Sequence, residues 1–217
     1  MGEAEINTTA QQIVIHSVIY FYGDAANEEL SLQIARDIAD HWNEANGKVM
    51  FKNQLYEVAF DIKGRWVKDI TPEIIFENID PRNNYFRIEA FAGTDISFVD
   101  GVGSNTGYFK LDNLLNKSTT AAHEYGHTIG LDHPRVLDIR GKGQPGIMYP
   151  RGTIVDPPYQ YNPAAAPLEP GGTMNPFTRK VLQEDIDHLN LRKLDFNRKG
   201  RAIIGDFSSQ WHEKHVQ

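Results

Sequence analysis

The alternation of hydrophobic and polar residues predicts an early strand followed by an amphipathic helix. Residues 12–22, QIVIHSVIYFY, are rich in β-branched and aromatic side chains and end at Gly23. Residues 28–46 then carry apolar side chains three or four positions apart, with acidic residues in the first turn and Gly47 directly afterwards. This pattern predicts a strand over 12–22 and a helix over 28–46.

Shorter apolar runs predict further strands in the middle of the chain. These strands are expected over residues 49–61, 64–70, 73–77, 85–91 and 94–99, with a turn at 61–64. The core candidates among them are Val58, Phe60, Ile62, Trp66, Val67, Ile74, Ile75 and Phe76.

A histidine motif follows these strands. Residues 123–133 have the sequence HEYGHTIGLDH, which is the pattern H-E-x-x-H-x-x-G-x-x-H. On a helix, His123 and His127 project from one face on successive turns, so both imidazoles can bind one ion. Gly130 can end the helix cheaply in the left-handed conformation, and His133 then returns as a third ligand. The pattern therefore predicts a metal site made of three histidines.

The ligand set favours a catalytic zinc ion. Three neutral imidazoles with one open coordination position are typical of catalytic zinc, whereas a closed structural site normally uses four protein ligands that include cysteine. The chain contains no cysteine. Glu124 follows a ligand directly, so its carboxylate lies beside the ion and can take a proton from water there. A chance match is the alternative, and it is far rarer for this extended pattern than for H-E-x-x-H alone.

The run AAHEYGHTIGLDH, residues 121–133, resembles the metzincin clan of zinc endopeptidases and is most similar to its matrixin branch. The resemblance implies an α+β fold with a twisted mixed sheet. The N-terminal helix and the active-site helix would lie above a cleft, and the Met-turn and C-terminal helix below it. It also implies a catalytic domain over residues 1–190, with an upper subdomain of about 11–130 and a lower one of about 131–190. Residues 191–217 remain as a tail of unknown role.

Residues 146–150, GIMYP, resemble the matrixin Met-turn, in which a methionine forms an apolar floor under the histidines. By this resemblance Met148 is the floor residue, and Tyr149 and Pro150 wall the pocket for the substrate residue after the scissile bond. Met174 is the alternative floor residue, since the loop after His133 is longer than is usual in matrixins.

A C-terminal helix is predicted over residues 175–190, because Asn175-Pro176 suits a helix start and apolar residues follow on one face. In matrixins an aspartate of this helix holds the backbone of the Met-turn, and the resemblance gives that role to Asp185. The alternative is an ordinary solvated charge.

Two further expectations concern the region before the motif. Asp95, Asp100 and Asn105 lie in a glycine-rich stretch where matrixin loops bind calcium, so Ca²⁺ is a second candidate cofactor beside an ordinary turn. The resemblance also implies that the strand before the motif lies within 103–111 and is an exposed sheet edge that pairs with extended substrate.

Charge and composition narrow the choice of partners. The chain has 22 basic and 29 acidic residues, and this net charge of −7 argues against a nucleic-acid surface. We find no apolar run long enough to span a membrane, and the first residues lack the basic and apolar segments of a signal peptide. The resemblance favours a secreted or extracytoplasmic protein, and we expect a monomer. His212 and His215 of the tail lack the motif spacing and are expected to be exposed, although such a tail can fold back onto the domain.

Together these patterns predict a zinc-dependent endopeptidase acting on a protein or peptide substrate, with Glu124 as general base. The alternative is a catalytically inactive module that holds zinc and binds extended peptides.

Overall fold

The computed structural model describes residues 1–216, which form an α+β fold around an eight-stranded mixed sheet. The strands are β1 Gly2–Asn7, β2 Gln12–Tyr22, β3 Lys48–Phe51, β4 Gln54–Trp66, β5 Asn83–Glu89, β6 Phe98–Val99, β7 Thr106–Lys110 and β8 Arg201–Ile204. The α-helices of this part of the chain are α1 Glu28–Glu44, α2 Pro72–Phe76, α3 Thr120–Thr128 and α4 Gln183–His188. The prediction of an α+β fold with a mixed sheet is confirmed, as are β2 and α1.

Strand β2 lies at the centre of the sheet, whose main order is β3-β4-β2-β5-β7-β6. It pairs in parallel with β4 and β5, and β5 pairs in parallel with β7. The edge strands β3 and β6 are antiparallel to their neighbours. Strand β1, which the sequence pattern did not reveal, pairs antiparallel with both β2 and β8.

Helix α1 covers the sheet and supports helix α3. Its buried face ends at Trp42, whose indole Nε1 donates a hydrogen bond of 3.0 Å to the Ala122 carbonyl in α3. The same indole packs at an angle against Phe60 of β4 and edge-on against Tyr125 of α3. These contacts fix the position of α3 relative to the sheet.

The predicted turn at residues 61–64 is wrong, because β4 continues through it. Gly64 has a packing role rather than a turn role: a Cβ at this position would lie 2.2 Å from the Ser31 carbonyl oxygen of α1. The missing side chain lets the helix backbone approach the strand closely.

The predicted strand over residues 73–77 is also wrong. Pro72 stands in the first turn of the short helix α2, where a proline needs no N–H partner. Ile75 is buried there, whereas Ile74 and Phe76 are exposed. Trp66, at the end of β4, is exposed as well, so these three residues are not part of the core as expected.

The edge of the sheet near the metal motif differs from the expectation. The expected strand within 103–111 exists as β7, but β6 pairs with its outer side, so β7 is not the exposed edge. Only Phe98–Val99 of the predicted strand over 94–99 is a strand. The edge strand of this part of the sheet is therefore β6.

The tail packs against the sheet rather than extending from it. Strand β8 pairs with β1. The ring of His212 lies with Nε2 2.9 Å from Asp100 Oδ2, and His215 stacks on Tyr108 with 4.0 Å between ring centroids. The expectation that both tail histidines are exposed is wrong, because both are partly buried against the domain.

Across residues 1–216, the helices are all too short or too polar to span a bilayer.

Candidate metal centre

Helix α3 carries the first part of the histidine motif and ends as predicted. It runs over Thr120–Thr128, and Gly130 follows with a φ of +96°, in the region that favours glycine. The Leu131 N–H donates a hydrogen bond of 2.9 Å to the Gly126 carbonyl, which closes the helix end. The chain then turns back and carries His133 towards the helix.

The three histidines converge on one point. His133 Nε2 lies 3.0 Å from His123 Nε2 and 3.1 Å from His127 Nε2. A tetrahedral zinc ion with Zn–N bonds of 2.0–2.1 Å places its ligand nitrogens roughly 3.4 Å apart, so small outward shifts suffice to admit it. Within residues 1–216, no other three His, Cys, Asp or Glu side chains bring their ligand atoms together in this way. The donor set therefore fits a metal ion such as zinc.

Hydrogen bonds prepare two of the imidazoles for this role. His123 Nδ1 lies 2.7 Å from the Ile147 carbonyl oxygen, and His127 Nδ1 lies 2.8 Å from that of Leu131. Each Nδ1 must carry a proton to donate to a carbonyl, so each Nε2 keeps its lone pair for a ligand. Burial lowers the pKa of His123, His127 and His133, which favours the neutral form that metal binding requires.

Glu124 is buried beside this cluster, in the wall of a cavity that the three histidines also line. Desolvation raises the pKa of its carboxyl to about 8, and the positive charges of Arg179 and Arg151 offset only part of that effect. A cation held by the histidines lowers the pKa of a neighbouring carboxyl. An ion at the histidines would therefore favour the ionised carboxylate, which is the form that accepts a proton.

Met148 lies directly against helix α3, which carries His123 and His127. A Cβ added to Gly126, which stands between His123 and His127, would lie 2.2 Å from Met148 Sδ. Met174 instead belongs to a separate buried cluster with Ile139 and Val155. The geometry places the Met148 sulfur beneath the histidine-bearing turn, and its function as a floor for the metal site stays a prediction.

We expect Gly126→Ala to destabilise the protein by up to about 2 kcal/mol. Overpacking a filled core typically costs about 1–3 kcal/mol, and the gain of about 1 kcal/mol from alanine in a helix offsets part of this cost. Denaturant unfolding measures the loss. Gly152→Ala is the matched control, because its added Cβ would meet no atom within 4 Å. Equal stability of the two variants would contradict the close contact between Gly126 and Met148.

Asp185 bonds to the backbone around the Met-turn. Its Oδ2 accepts the Leu182 N–H at 2.8 Å and the Ile147 N–H at 3.4 Å. The helix that carries it is shorter than predicted, because a 3₁₀ turn, Pro176–Thr178, is separated from α4 by extended residues. The aspartate is buried rather than solvated.

Asp185 predicts a pH-dependent stability. Burial raises its pKa to about 6, above the ordinary value of 3.8. A group whose folded pKa is raised stabilises the fold below its unfolded pKa, and this contribution is lost as pH rises through about 6. Asp185→Asn lacks this titration, so the stability of the variant relative to wild type should rise by roughly 2–3 kcal/mol between pH 4 and pH 7. Urea unfolding at both pH values measures it, and a constant difference would contradict the assignment.

A cavity of about 450 Å³ opens in front of the histidines. Its lining includes the edge strand β6 with its neighbours, and also Pro150, Arg151 and Arg179. Pro150 thus lies where a pocket wall was expected. The Tyr149 side chain lies elsewhere, in the wall of a second cavity behind His133.

Arg179 is a component of the site that sequence reasoning missed. Its Nε and Nη2 donate to Thr119 Oγ1 at 3.1 and 2.9 Å, and its Nη1 donates to the Tyr149 carbonyl oxygen at 3.0 Å. The guanidinium therefore joins the start of α3 to the Met-turn. It lies far from the motif in the sequence, in a loop with no pattern of its own.

The residues expected to bind calcium have side-chain oxygens that contact protein donors. Asp95 pairs with Lys110, and Asp100 accepts hydrogen bonds from two side chains. The side-chain oxygen of Asn105 accepts the Ser208 N–H at 2.9 Å. The binding of calcium in this region stays a prediction.

A comparison of the chain with models of known protein families found no match, and a comparison with curated proteins found no significantly similar sequence. The site is therefore interpreted from its own geometry, which is compatible with a zincin.

Proposed function

We propose that the protein is a zinc-dependent endopeptidase of metzincin type. The observation that carries the proposal is the convergence of three Nε2 atoms at 3.0–3.1 Å beside a buried glutamate in an open cavity. His123, His127 and His133 would hold the ion. A zinc ion bound there supplies a Lewis acid that polarises a carbonyl and makes water more acidic.

Glu124 is the proposed general base of the reaction. It is the next residue after His123, so helix α3 holds its carboxyl beside the three imidazoles. Burial raises the pKa of this carboxyl and a cation held by the histidines would lower it again, so the bound ion favours the carboxylate that a general base needs. The carboxylate takes the proton of the attacking water and returns it to the leaving amine. Peptide hydrolysis then needs no covalent intermediate.

The edge strand β6 supports a peptide as the substrate. It lines the cavity that holds Glu124 and the histidines, and its only strand neighbour among residues 1–216 is β7. An extended peptide can add to such an edge through backbone hydrogen bonds, which position it without regard to most of its side chains. This arrangement is suited to cleavage within a chain.

Cleavage of unfolded casein by the zinc-loaded protein tests the proposal, with product termini determined by mass spectrometry. We expect new internal termini that appear with wild type and not with a Glu124→Ala preparation purified in parallel. Binding of casein peptides by both proteins without any cleavage would replace the endopeptidase by the inactive peptide-binding module.

A further inference from the structure

A buried positive charge in the cavity wall has no ion-pair partner. The side chain of Arg179 lines the cavity although the residue is only 4% exposed. Arginine ion pairs in residues 1–216 involve other residues, namely Arg82, Arg87, Arg140 and Arg201. A buried charge is costly unless a counter-charge compensates it. The guanidinium of Arg179 can therefore pair with an anion that enters the cavity.

The hydrogen bonds of Arg179 leave donors free. A guanidinium has five N–H groups. Three of them donate to the two acceptors described above, Thr119 Oγ1 and the Tyr149 carbonyl oxygen. His123 Nδ1 is also 2.9 Å from Nη1, but its own proton is donated to Ile147, so it does not accept. Two N–H groups thus have no acceptor in the described part of the chain.

Arg151 adds a second guanidinium at the rim of the same cavity. It is exposed, and its side-chain contact is a long one of 3.5 Å to Asn113 Oδ1. Two guanidiniums, one fixed at depth and one adaptable at the rim, suit a carboxylate, which accepts charge-assisted hydrogen bonds from a planar fork.

The two acidic residues of the cavity wall, Glu124 and Asp132, form no ion pair with Arg179 or Arg151 within residues 1–216. Glu124 is the acidic group whose charge acts most on Arg179, but within residues 1–216 no hydrogen bond or ion pair joins them, and its carboxyl would face the ion. Asp132 is exposed, and its Oδ1 already accepts the His133 N–H at 2.7 Å. The part of the cavity lining that contains Arg151 and Arg179 therefore carries a positive charge.

We propose that Arg179 and Arg151 are specificity-determining residues that select substrates with an aspartate or glutamate side chain close to the cleaved bond. This inference rests on the proposed function, and it deepens it by naming the substrate class. The carboxylate of the substrate supplies the ion-pair partner that Arg179 and Arg151 lack among residues 1–216. An amide side chain of the same shape does not.

Cleavage-site profiling on a library of proteome-derived peptides tests the preference first. We expect Asp and Glu to be enriched at one position within two residues of the cleaved bond. Two fluorogenic peptides that differ only in Glu against Gln at that position then give the ratio of kcat/KM. Wild type should favour Glu at least about tenfold, as a charge-assisted hydrogen bond gives.

Arg151→Glu should bring this ratio to one or below, because it reverses the charge at the rim without altering the buried network of Arg179. Arg198→Glu is the matched control, an exposed arginine of the tail that gives the same change in net charge and should keep the wild-type ratio. A ratio near one in wild type, or an equal loss in both variants, overturns the inference.

Binding separates this inference from the proposed function. Zinc-loaded Glu124→Ala, measured by fluorescence anisotropy, should bind the Glu peptide at least about tenfold more tightly than the Gln peptide, and adding Arg151→Glu should remove the difference. Selective binding without cleavage by wild type would retain the inference and reject the endopeptidase. Cleavage without acidic preference, together with equal binding of both peptides, would retain the endopeptidase and reject the inference.

Discussion

Glu124→Ala should lower kcat for peptide hydrolysis by about 10²- to 10⁴-fold, the usual contribution of a general base. The carboxyl lies in the cavity wall beside the three histidines, and its main role in the proposal is to move protons. Zinc content should stay at the wild-type level, since none of the three converging nitrogens belongs to this residue. The variant should also fold, because burial disfavours the ionised carboxylate and its removal therefore costs the folded state little.

The rate loss is measured on a quenched fluorescent peptide, with zinc determined in the same samples. Glu124→Gln keeps the shape of the side chain without its basicity and should lose a similar factor. Glu169→Ala, at an exposed position, is the control and should retain full activity. A loss below about tenfold in Glu124→Ala would show that another group is the base.

Replacing a histidine of the cluster should have the largest effect on the metal. His123→Ala, His127→Ala and His133→Ala each remove one of three converging nitrogens, so purified variants should contain almost no zinc where wild type holds one ion per chain. Elemental analysis after gel filtration measures the stoichiometry. His188→Ala changes an exposed histidine outside the cluster and should bind zinc as wild type does.

The three cluster variants should also differ from wild type in how zinc changes their thermal stability. Zinc at about 100 times its Kd adds about 2.7 kcal/mol to the free energy of unfolding. For a domain of this size, that raises Tm by roughly 5–10 °C. Wild type and His188→Ala should show this zinc-dependent shift, and the three cluster variants should not. A shift that persists in all three would place the metal elsewhere.

Local geometry explains why the metal centre could be predicted from the sequence. His123, Glu124 and His127 share one helix, and Gly130 allows the turn that returns His133, so residues close in sequence define the whole ligand set. Helical periodicity and glycine conformation act over a few residues, which is the range that a single sequence reveals.

Features that depend on tertiary packing were not predictable in this way. Gly64 was interpreted as a turn residue, and only the approach of α1 shows that its missing side chain serves packing. Arg179 reaches the site from a distant loop through contacts with Thr119 and the Tyr149 carbonyl. The tail histidines carry no motif, so the contacts that bury His212 and His215 become visible only in the folded chain.

In the proposed function, one zinc ion at the three histidines makes this protein a peptidase. Titration of zinc into metal-free protein, with the initial rate of casein cleavage recorded at each addition, tests it most directly. We expect no cleavage without metal, a rate that rises in proportion to added zinc, and a plateau at one ion per chain. Cleavage by the metal-free protein, or no cleavage by folded protein that has bound one zinc ion, would contradict the claim.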